Sequence, residues 1–128
     1  MSSHLYIEIV QTFKYAILNG SYQPGSQLPS VRLIAKQENC NPATVHRAFK
    51  YLEQQGLIFI RRNSGAFVTD NMSKVDALRQ QEYTKLTSDF FDRLHAFGYS
   101  DIEICELLQN HFSGEVGDRN NKMTVVAE

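Results

Sequence analysis

The first apolar residues of the chain recur at the spacing of a helix. Between residues 5 and 19 they fall three or four positions apart, which would make one side of a helix apolar and the other polar. This stripe consists of Leu5, Tyr6, Ile9, Val10, Phe13, Ala16 and Ile17. The pattern therefore predicts an amphipathic helix that ends at Gly20.

A turn and a second helix are predicted next. Residues 22–27 surround Pro24 and Gly25, a pair that favours a tight turn because proline fixes φ and glycine accepts unusual backbone angles. Ser30 is a good N-cap for a short helix that should end near Glu38, where the residues that follow have poor helix propensity. Its inward residues should be Val31, Ile34 and Ala35.

Asn41 and Pro42 mark the start of a third helix, which should stop at Gly56. Asn41 can cap it, and Pro42 fits the first position, where the missing N–H costs nothing. The buried stripe should consist of Val45, Ala48, Phe49 and Leu52. The surface left over comprises Ala43, Thr44, His46, Arg47 and Lys50. Such a helix, placed behind a turn and another helix, is suited to the major groove of DNA.

A short β-hairpin is expected after the third helix. Residues 57–60 are β-branched or apolar, residues 63–65 form a turn, and residues 66–68 return. The apolar face must pack on the helices, because two strands alone are barely stable. Arg61 and Arg62 stand beside the tip, where they would reach phosphates or a minor groove, or serve only as solubilising charges.

The carboxyl-terminal part predicts two further helices. Residues 73–97 indicate one long helix with an apolar and aromatic side, which Gly98 ends. Ser100 and Glu103 have the spacing of a capping box, which would open a shorter helix that continues to Phe112.

Two such helices cannot enclose a core alone, so we expect them to pair with those of a second copy in a twofold dimer. The residues assigned to this interface are Leu78, Leu86, Phe90, Leu94, Phe97, Ile104 and Leu108. The alternative is that both helices fold back on the amino-terminal part of their own chain. The predicted domains are residues 1–70 and 71–112, and residues 113–128, which lack periodicity, should form a disordered tail.

Composition narrows the class of protein. The 128 residues are 42% hydrophobic without a long apolar run or a secretory signal, so we expect a soluble, cytoplasmic protein. Cys40 and Cys105 are expected to be small buried hydrophobes, not a disulfide or a metal site. Residues 1–70 carry a net charge of +3 and residues 71–128 a net charge of −4, which suits a DNA-facing module joined to an interaction module.

These residues resemble the amino-terminal domain of GntR-type bacterial transcription regulators, and among them the YtrA-like subgroup. The resemblance covers residues 5–68. Its motifs include Pro24-Gly25, Leu28-Pro29-Ser30-Val31-Arg32, Asn41-Pro42, Thr44-Val45, Arg47-Ala48, Gly56-Leu57-Ile58, Gly65 and Phe67-Val68. It implies a winged helix-turn-helix. Together with the two carboxyl-terminal helices, this predicts a mainly α-helical protein with a small β-hairpin, in which a winged helix-turn-helix is followed by a two-helix dimerisation unit. The resemblance further implies a dimeric DNA-binding repressor or activator, of which we expect a repressor. Because a twofold axis would relate the third helices of the two subunits, we expect the homodimer to bind an inverted-repeat DNA operator.

The resemblance places the third helix, residues 41–55, in the major groove and the wing, residues 61–66, in the minor groove. Arg32 resembles a phosphate-binding arginine, and changes at Thr44 or Arg47 are expected to alter sequence preference. The expected DNA contacts are Arg32, Asn41, Pro42, Ala43, Thr44, His46, Arg47, Lys50, Arg61, Arg62, Asn63, Ser64 and Gly65. Asn63 stands where many relatives have glycine, a replacement allowed because asparagine tolerates left-handed angles. The position of His46 is often occupied by Arg or Gln in relatives, and histidine lacks the bidentate fork that selects guanine.

The sequence also bears on other classes of function. No nucleophile motif or glycine-rich phosphate loop is present, so we expect no enzyme activity and no cofactor. One alternative is a winged helix that contacts only proteins. Another is a metal-responsive regulator, with His95, His111 and Asp92 at the dimer interface. The sequence identifies no small-molecule effector.

Overall fold

The computed structural model describes the backbone of residues 2–118 and the side chains of residues 4–114. Five helices and one two-stranded antiparallel sheet follow each other along the chain, as the sequence pattern predicts. The elements are α1 (Ser2–Leu18), α2 (Val31–Glu38), α3 (Pro42–Gln54), β1 (Ile58–Arg61), β2 (Gly65–Val68), α4 (Met72–Ala96) and α5 (Asp101–Asp118).

The first three helices enclose the main core. The predicted stripes of α1 and α3 are confirmed, since their central residues are almost wholly buried. Phe13 of α1 is at the centre, where its ring contacts Phe49 edge to face at 5.8 Å and stacks on Tyr22 at 5.9 Å. Aromatic pairs in such geometries add to the stability that burial of their surface already provides. This packing fixes α3 against α1 along its apolar side.

Helix α2 has a cap at each end. The Ser30 hydroxyl accepts a hydrogen bond from the Leu33 N–H at 3.1 Å, which confirms the predicted N-cap. At the other end Asn39 adopts φ 56°, and the Cys40 N–H donates to the Ala35 carbonyl at 2.9 Å. A left-handed residue at this point satisfies carbonyls that the helix leaves unpaired. The short link between α2 and α3 is therefore well defined.

The hairpin is supported by a third segment that the sequence suggested only as a loop. The strands pair from Ile58 with Val68 to Arg61 with Gly65. The Val68 N–H also donates to the Ser26 carbonyl, and the Leu28 N–H donates to the Ala66 carbonyl, both at 2.8 Å. Residues 26–28 thus form backbone hydrogen bonds along the free edge of β2. This pairing attaches the hairpin to the segment just before α2.

The described part of the chain divides into two compact units, with the boundary between Glu82 and Tyr83. This boundary lies within α4, because the first part of α4 packs on the amino-terminal core. Val75 is 4% exposed, and Leu78, which was expected at a dimer interface, instead packs against this core. The first part of α4 thus packs on the amino-terminal part of its own chain.

One ion pair strengthens the attachment of α4. The Nζ atom of Lys14 lies 2.6 Å from Oε2 of Glu82, and the Lys14 side chain is only 10% exposed. Lysine is rarely buried without a partner, because removing an ammonium group from water is costly. The pair therefore satisfies the charge of Lys14 where α1 meets α4.

The capping box at the start of α5 is confirmed in both directions. The Ser100 N–H donates to Oε1 of Glu103 at 2.9 Å, and the Glu103 N–H donates to the Ser100 hydroxyl at 3.2 Å. The helix continues to Asp118, so residues 113–118 are helical and not part of a disordered tail; residues 119–128 lie outside the described part of the chain. Glycine disfavours a helix by about 1 kcal/mol, which weakens a helix without ending it.

The two cysteines differ from the expectation of buried hydrophobes. Cys40 is half-buried, whereas Cys105 is exposed on α5, and neither forms a disulfide. In the described part of the chain, no helix is both long enough and apolar enough to cross a bilayer.

Candidate nucleic-acid interface

Hydrogen bonds among its first residues cap the start of α3. Oδ1 of Asn41 accepts a hydrogen bond from the Ala43 N–H at 2.8 Å, and the Asn41 carbonyl accepts one from the Thr44 N–H at 2.9 Å. Pro42 occupies the first turn, where its missing N–H is not needed. The amino-terminal end of α3 is thus a rigid element that places its side chains reproducibly.

Most of the residues expected on the outer side of α3 are exposed. They are Asn41, Pro42, Ala43, His46, Arg47 and Lys50. Thr44 differs, because it is only 9% exposed and lies one helical turn before Ala48, which is fully buried. Because Thr44 lies on the inward side of the helix, its hydroxyl is poorly placed to contact a DNA base, which differs from the sequence-based expectation.

Arg47 contacts an aromatic residue of α1. The Cζ atom of its guanidinium group lies 4.2 Å from the centroid of the Tyr6 ring. That ring in turn meets Tyr51 edge to face, with 6.3 Å between the ring centroids. A guanidinium over the face of an aromatic ring is attracted by the ring quadrupole. Arg47 is therefore both exposed and held in one region of the surface.

The exposed basic side chains of α2, α3 and the hairpin have no acidic partner within the described residues. Within residues 4–114, no ion pair involves Arg32, Arg47, Lys50, Arg61 or Arg62. Arg32 is exposed in the first turn of α2, and it makes no salt bridge to Glu38 or Glu53, the partners that a purely structural role would favour. A surface with positive charges and without internal counter-charges attracts a polyanion.

The tip of the hairpin has the backbone geometry that the sequence predicted. Asn63 adopts φ 66° and Gly65 adopts φ 113°, and the Ser64 N–H donates to the Arg61 carbonyl at 3.1 Å. All five residues from 61 to 65 are exposed. Glycine is required at the second of these angles, whereas asparagine tolerates the first. The tip is therefore a tight turn that carries two arginines.

An aromatic pair lies beneath one of these arginines. Phe59 and Phe67 face each other across the two strands, and their rings stack with 5.6 Å between centroids. Cζ of Arg61 lies 5.1 Å from the Phe59 ring centroid and 6.0 Å from that of Phe67. The guanidinium group is thereby held close to the strands of the hairpin.

Gln27 is a functional candidate that sequence reasoning missed. Its Nε2 atom donates to the Ser64 carbonyl at 2.6 Å, and a Cβ atom added to Gly65 would lie 2.8 Å from that same nitrogen. The contact joins the segment before α2 to the tip of the hairpin. No local pattern indicates it, because the two residues are 37 positions apart.

The residues assigned to a dimer interface fall into three groups. Leu86, Phe90 and Phe97 expose 70%, 42% and 79% of their surface, respectively, and so remain available to a partner. Leu94 and Leu108 are half-buried. Ile104, in contrast, is fully buried within its own chain, so it has no surface left to present. Leu78 is half-buried against the amino-terminal core.

One histidine of the second unit, His95, contacts an aspartate. Nε2 of His95 lies 2.7 Å from Oδ1 of Asp101, across the turn between α4 and α5. Within the described residues, no group of three or more His, Cys, Asp or Glu side chains could hold a metal ion. The metal-responsive alternative therefore gains no support from the geometry.

A helix-turn-helix followed by a β-hairpin with a basic tip defines a winged helix. The family model described as bacterial regulatory proteins, gntR family, matches residues 5–68, so the chain belongs to the GntR family. It is a transcriptional regulator with a winged-helix DNA-binding fold, which is what the motifs implied.

Similar proteins support the same class. The chain is 27% identical over 113 residues to YhcF of Bacillus subtilis (strain 168), an uncharacterized HTH-type transcriptional regulator; the match spans 88% of this chain and 93% of YhcF. It is 40% identical over 70 residues to the HTH-type transcriptional repressor YtrA of the same organism, across 55% of this chain and 54% of YtrA. A GntR family transcriptional regulator from Listeria monocytogenes has a similar structure, with a TM-score of 0.77 and 27% identity over 83% of this chain and 93% of that one.

Proposed function

We propose that this protein is a homodimeric repressor that binds an inverted-repeat operator. In this proposal α3 enters the major groove with Asn41, Pro42, Ala43 and His46 near the bases. The wing, residues 61–66, lies against the adjacent minor groove, and Arg32 contacts a phosphate. The observation that carries the proposal is the exposed basic surface, whose arginines and lysine have no ion pair within residues 4–114.

The electrostatic character of this surface supports DNA over a protein partner. Phosphate contacts release counterions, so a surface of several unpaired basic groups gives strong affinity at low salt. The wing adds two arginines on a tight turn, and arginine close to a minor groove reads its width and its negative potential. A surface used only for protein contacts would more commonly have an apolar centre.

Dimerisation is supported by the exposed apolar side chains of the second unit. Leu86, Phe90 and Phe97 are large and exposed, and Leu86 and Phe90 lie one turn apart on α4. Exposed apolar patches mark interaction sites. A second copy is the simplest partner, because a twofold axis brings the same patch of both subunits together. The two copies of α3, related by that axis, would then bind DNA half-sites about 10 bp apart, or a multiple of this distance.

The repressor role rests on a similarity to part of a relative. YtrA is a transcriptional repressor, and it is matched over about half of its length. A regulator that occupies an operator without further machinery acts most simply by blocking access to the promoter.

A salt-resolved binding titration tests the DNA proposal. The full chain is titrated against a duplex of random sequence at salt concentrations from about 50 to 200 mM, and binding should weaken steeply and linearly on logarithmic axes. Selection of bound fragments from the source genome should then yield an inverted repeat. Absence of binding to any duplex at the lowest salt would contradict the proposal, and capture of a protein without DNA affinity would favour the protein-interaction alternative.

A further inference from the structure

Arg47 and Tyr6 form a contact whose geometry bears on how DNA is read. The guanidinium Cζ of Arg47 lies 4.2 Å from the Tyr6 ring centroid, and Tyr51 supports that ring from the side at 6.3 Å. Arg47 and Tyr51 are one turn apart on α3, whereas Tyr6 belongs to α1. The three side chains therefore connect the exposed surface of α3 to the neighbouring helix.

This contact leaves the hydrogen-bonding capacity of Arg47 intact. A guanidinium group stacks through its face, while its five N–H donors point outward from its edge. Arg47 is exposed, and within residues 4–114 it has no ion-pair partner. Its charge is thus available to an anion, but its position is restricted by the Tyr6 ring.

Arg47 lies at one edge of the exposed side of α3. It is four residues after Ala43 and three before Lys50, so it shares their side of the helix. His46 is displaced from Arg47 by one residue, or about 100° around the helix axis, so these two side chains lie at opposite edges of the exposed side. The contact with Tyr6 directs Arg47 towards α1. When a helix lies in a groove its central side meets the bases and its edges meet the phosphates on either strand.

We infer that Tyr6 is a positioning residue that holds Arg47 against a phosphate at the rim of the groove, so that Arg47 sets affinity and orientation and not base preference. This differs from the sequence-based expectation that a change at Arg47 alters sequence preference. The inference rests on the proposed DNA binding of α3, and it adds a residue of α1 to the functional surface.

The test compares affinity for two duplexes, the selected operator and a scrambled sequence of equal length, each across a salt series. Arg47→Ala should weaken binding to both duplexes by a similar factor and reduce the salt slope by about one unit. Arg47→Lys retains the charge, so its slope should stay near that of the unmodified protein while affinity falls. A change in the ratio of the two affinities would instead assign base reading to Arg47.

Substitutions at Tyr6 test the positioning role. Tyr6→Leu removes the aromatic face and should weaken binding to both duplexes about 3-fold to 10-fold, the range expected for loss of a cation–π contact at a partly exposed site. Tyr6→Phe retains the ring and should restore binding to within about 2-fold. In an Arg47→Ala background, Tyr6→Leu should cause no further loss.

Controls separate the possible failures. Lys36→Ala removes a positive charge from α2 outside the proposed interface, and it should leave the affinities nearly unchanged. Thermal unfolding of each variant shows whether the fold is retained. An equal loss from Tyr6→Leu with and without Arg47 would assign Tyr6 a structural role only and overturn the inference. If the unmodified protein binds neither duplex, the proposed function fails and this inference with it.

Discussion

The ammonium group of Lys14 and the carboxylate of Glu82 form an ion pair at 2.6 Å that joins α1 to α4 within the first compact unit. Lys14 is the more deeply buried partner, with 10% of its side chain exposed against 31% for Glu82. The cost of breaking the pair should therefore depend on which charge is left behind.

Glu82→Gln should lower the free energy of unfolding by about 1–3 kcal/mol, because it leaves a buried ammonium group without its counter-charge. Lys14→Met should cost less, since the remaining carboxylate can be hydrated. Adding Lys14→Met to Glu82→Gln should recover part of the lost stability, as measured by chemical denaturation. A double variant less stable than Glu82→Gln alone would contradict this account.

Asn41 has two roles that substitutions can separate. Asn41→Ala removes the cap on Ala43 and should cost about 1 kcal/mol of stability. Asn41→Asp keeps an acceptor at the cap and suits the helix dipole, so stability should be retained, yet its negative charge should repel phosphates and weaken DNA binding at least about tenfold. Thermal unfolding and fluorescence anisotropy with a labelled duplex measure the two effects. Unchanged affinity in Asn41→Asp would remove the start of α3 from the interface.

Gly65→Ala should distort the tip of the wing. The residue adopts φ 113°, and its new Cβ would lie 2.8 Å from Nε2 of Gln27. We expect a loss of about 1–3 kcal/mol in stability together with weaker binding to duplex DNA. Gly114→Ala is the matched control, because Gly114 lies in α5 with no atom within 4 Å of a new Cβ, and it should be neutral or stabilising by up to about 1 kcal/mol. Equal effects at the two glycines would refute the role assigned to the tip.

Arg32→Ala tests the proposed phosphate contact at the start of α2. Binding should weaken to a similar extent for operator and scrambled duplexes, and the salt slope should fall by about one unit. Arg79→Ala, which removes an exposed arginine of α4 that pairs with Asp76, is the control and should leave the slope unchanged. A slope that also stays unchanged for Arg32→Ala would place Arg32 outside the interface.

A charge at Leu86 or Phe90, two exposed apolar residues of α4, should prevent dimerisation. Leu86→Glu and Phe90→Glu should each give a monomer in sedimentation equilibrium and weaken binding to the inverted repeat by about a hundredfold or more, through loss of bivalent binding. Ser88→Glu introduces the same charge at an exposed polar position and should remain dimeric. A protein that is monomeric before any substitution would contradict the proposed assembly.

Much of the fold could be predicted because its determinants are local. The apolar period of 3.6 residues directs Val45, Ala48, Phe49 and Leu52 to one side of α3, and all four are buried. Caps at Ser30 and at the start of α5 depend on side chains three residues from their partners. Local preferences likewise place the turn at Asn63, whose left-handed angle asparagine tolerates.

What the sequence by itself determined is therefore the order of the elements, their caps and the family motifs of the winged helix. Only the tertiary structure decided which helical positions become covered: Thr44, Leu78 and Ile104 are withdrawn from the surfaces expected for them. It also brought Gln27 to Ser64 and Tyr6 to Arg47. The physical reason is that periodicity and capping act between near neighbours along the chain, whereas burial and side-chain contacts depend on which distant elements pack together.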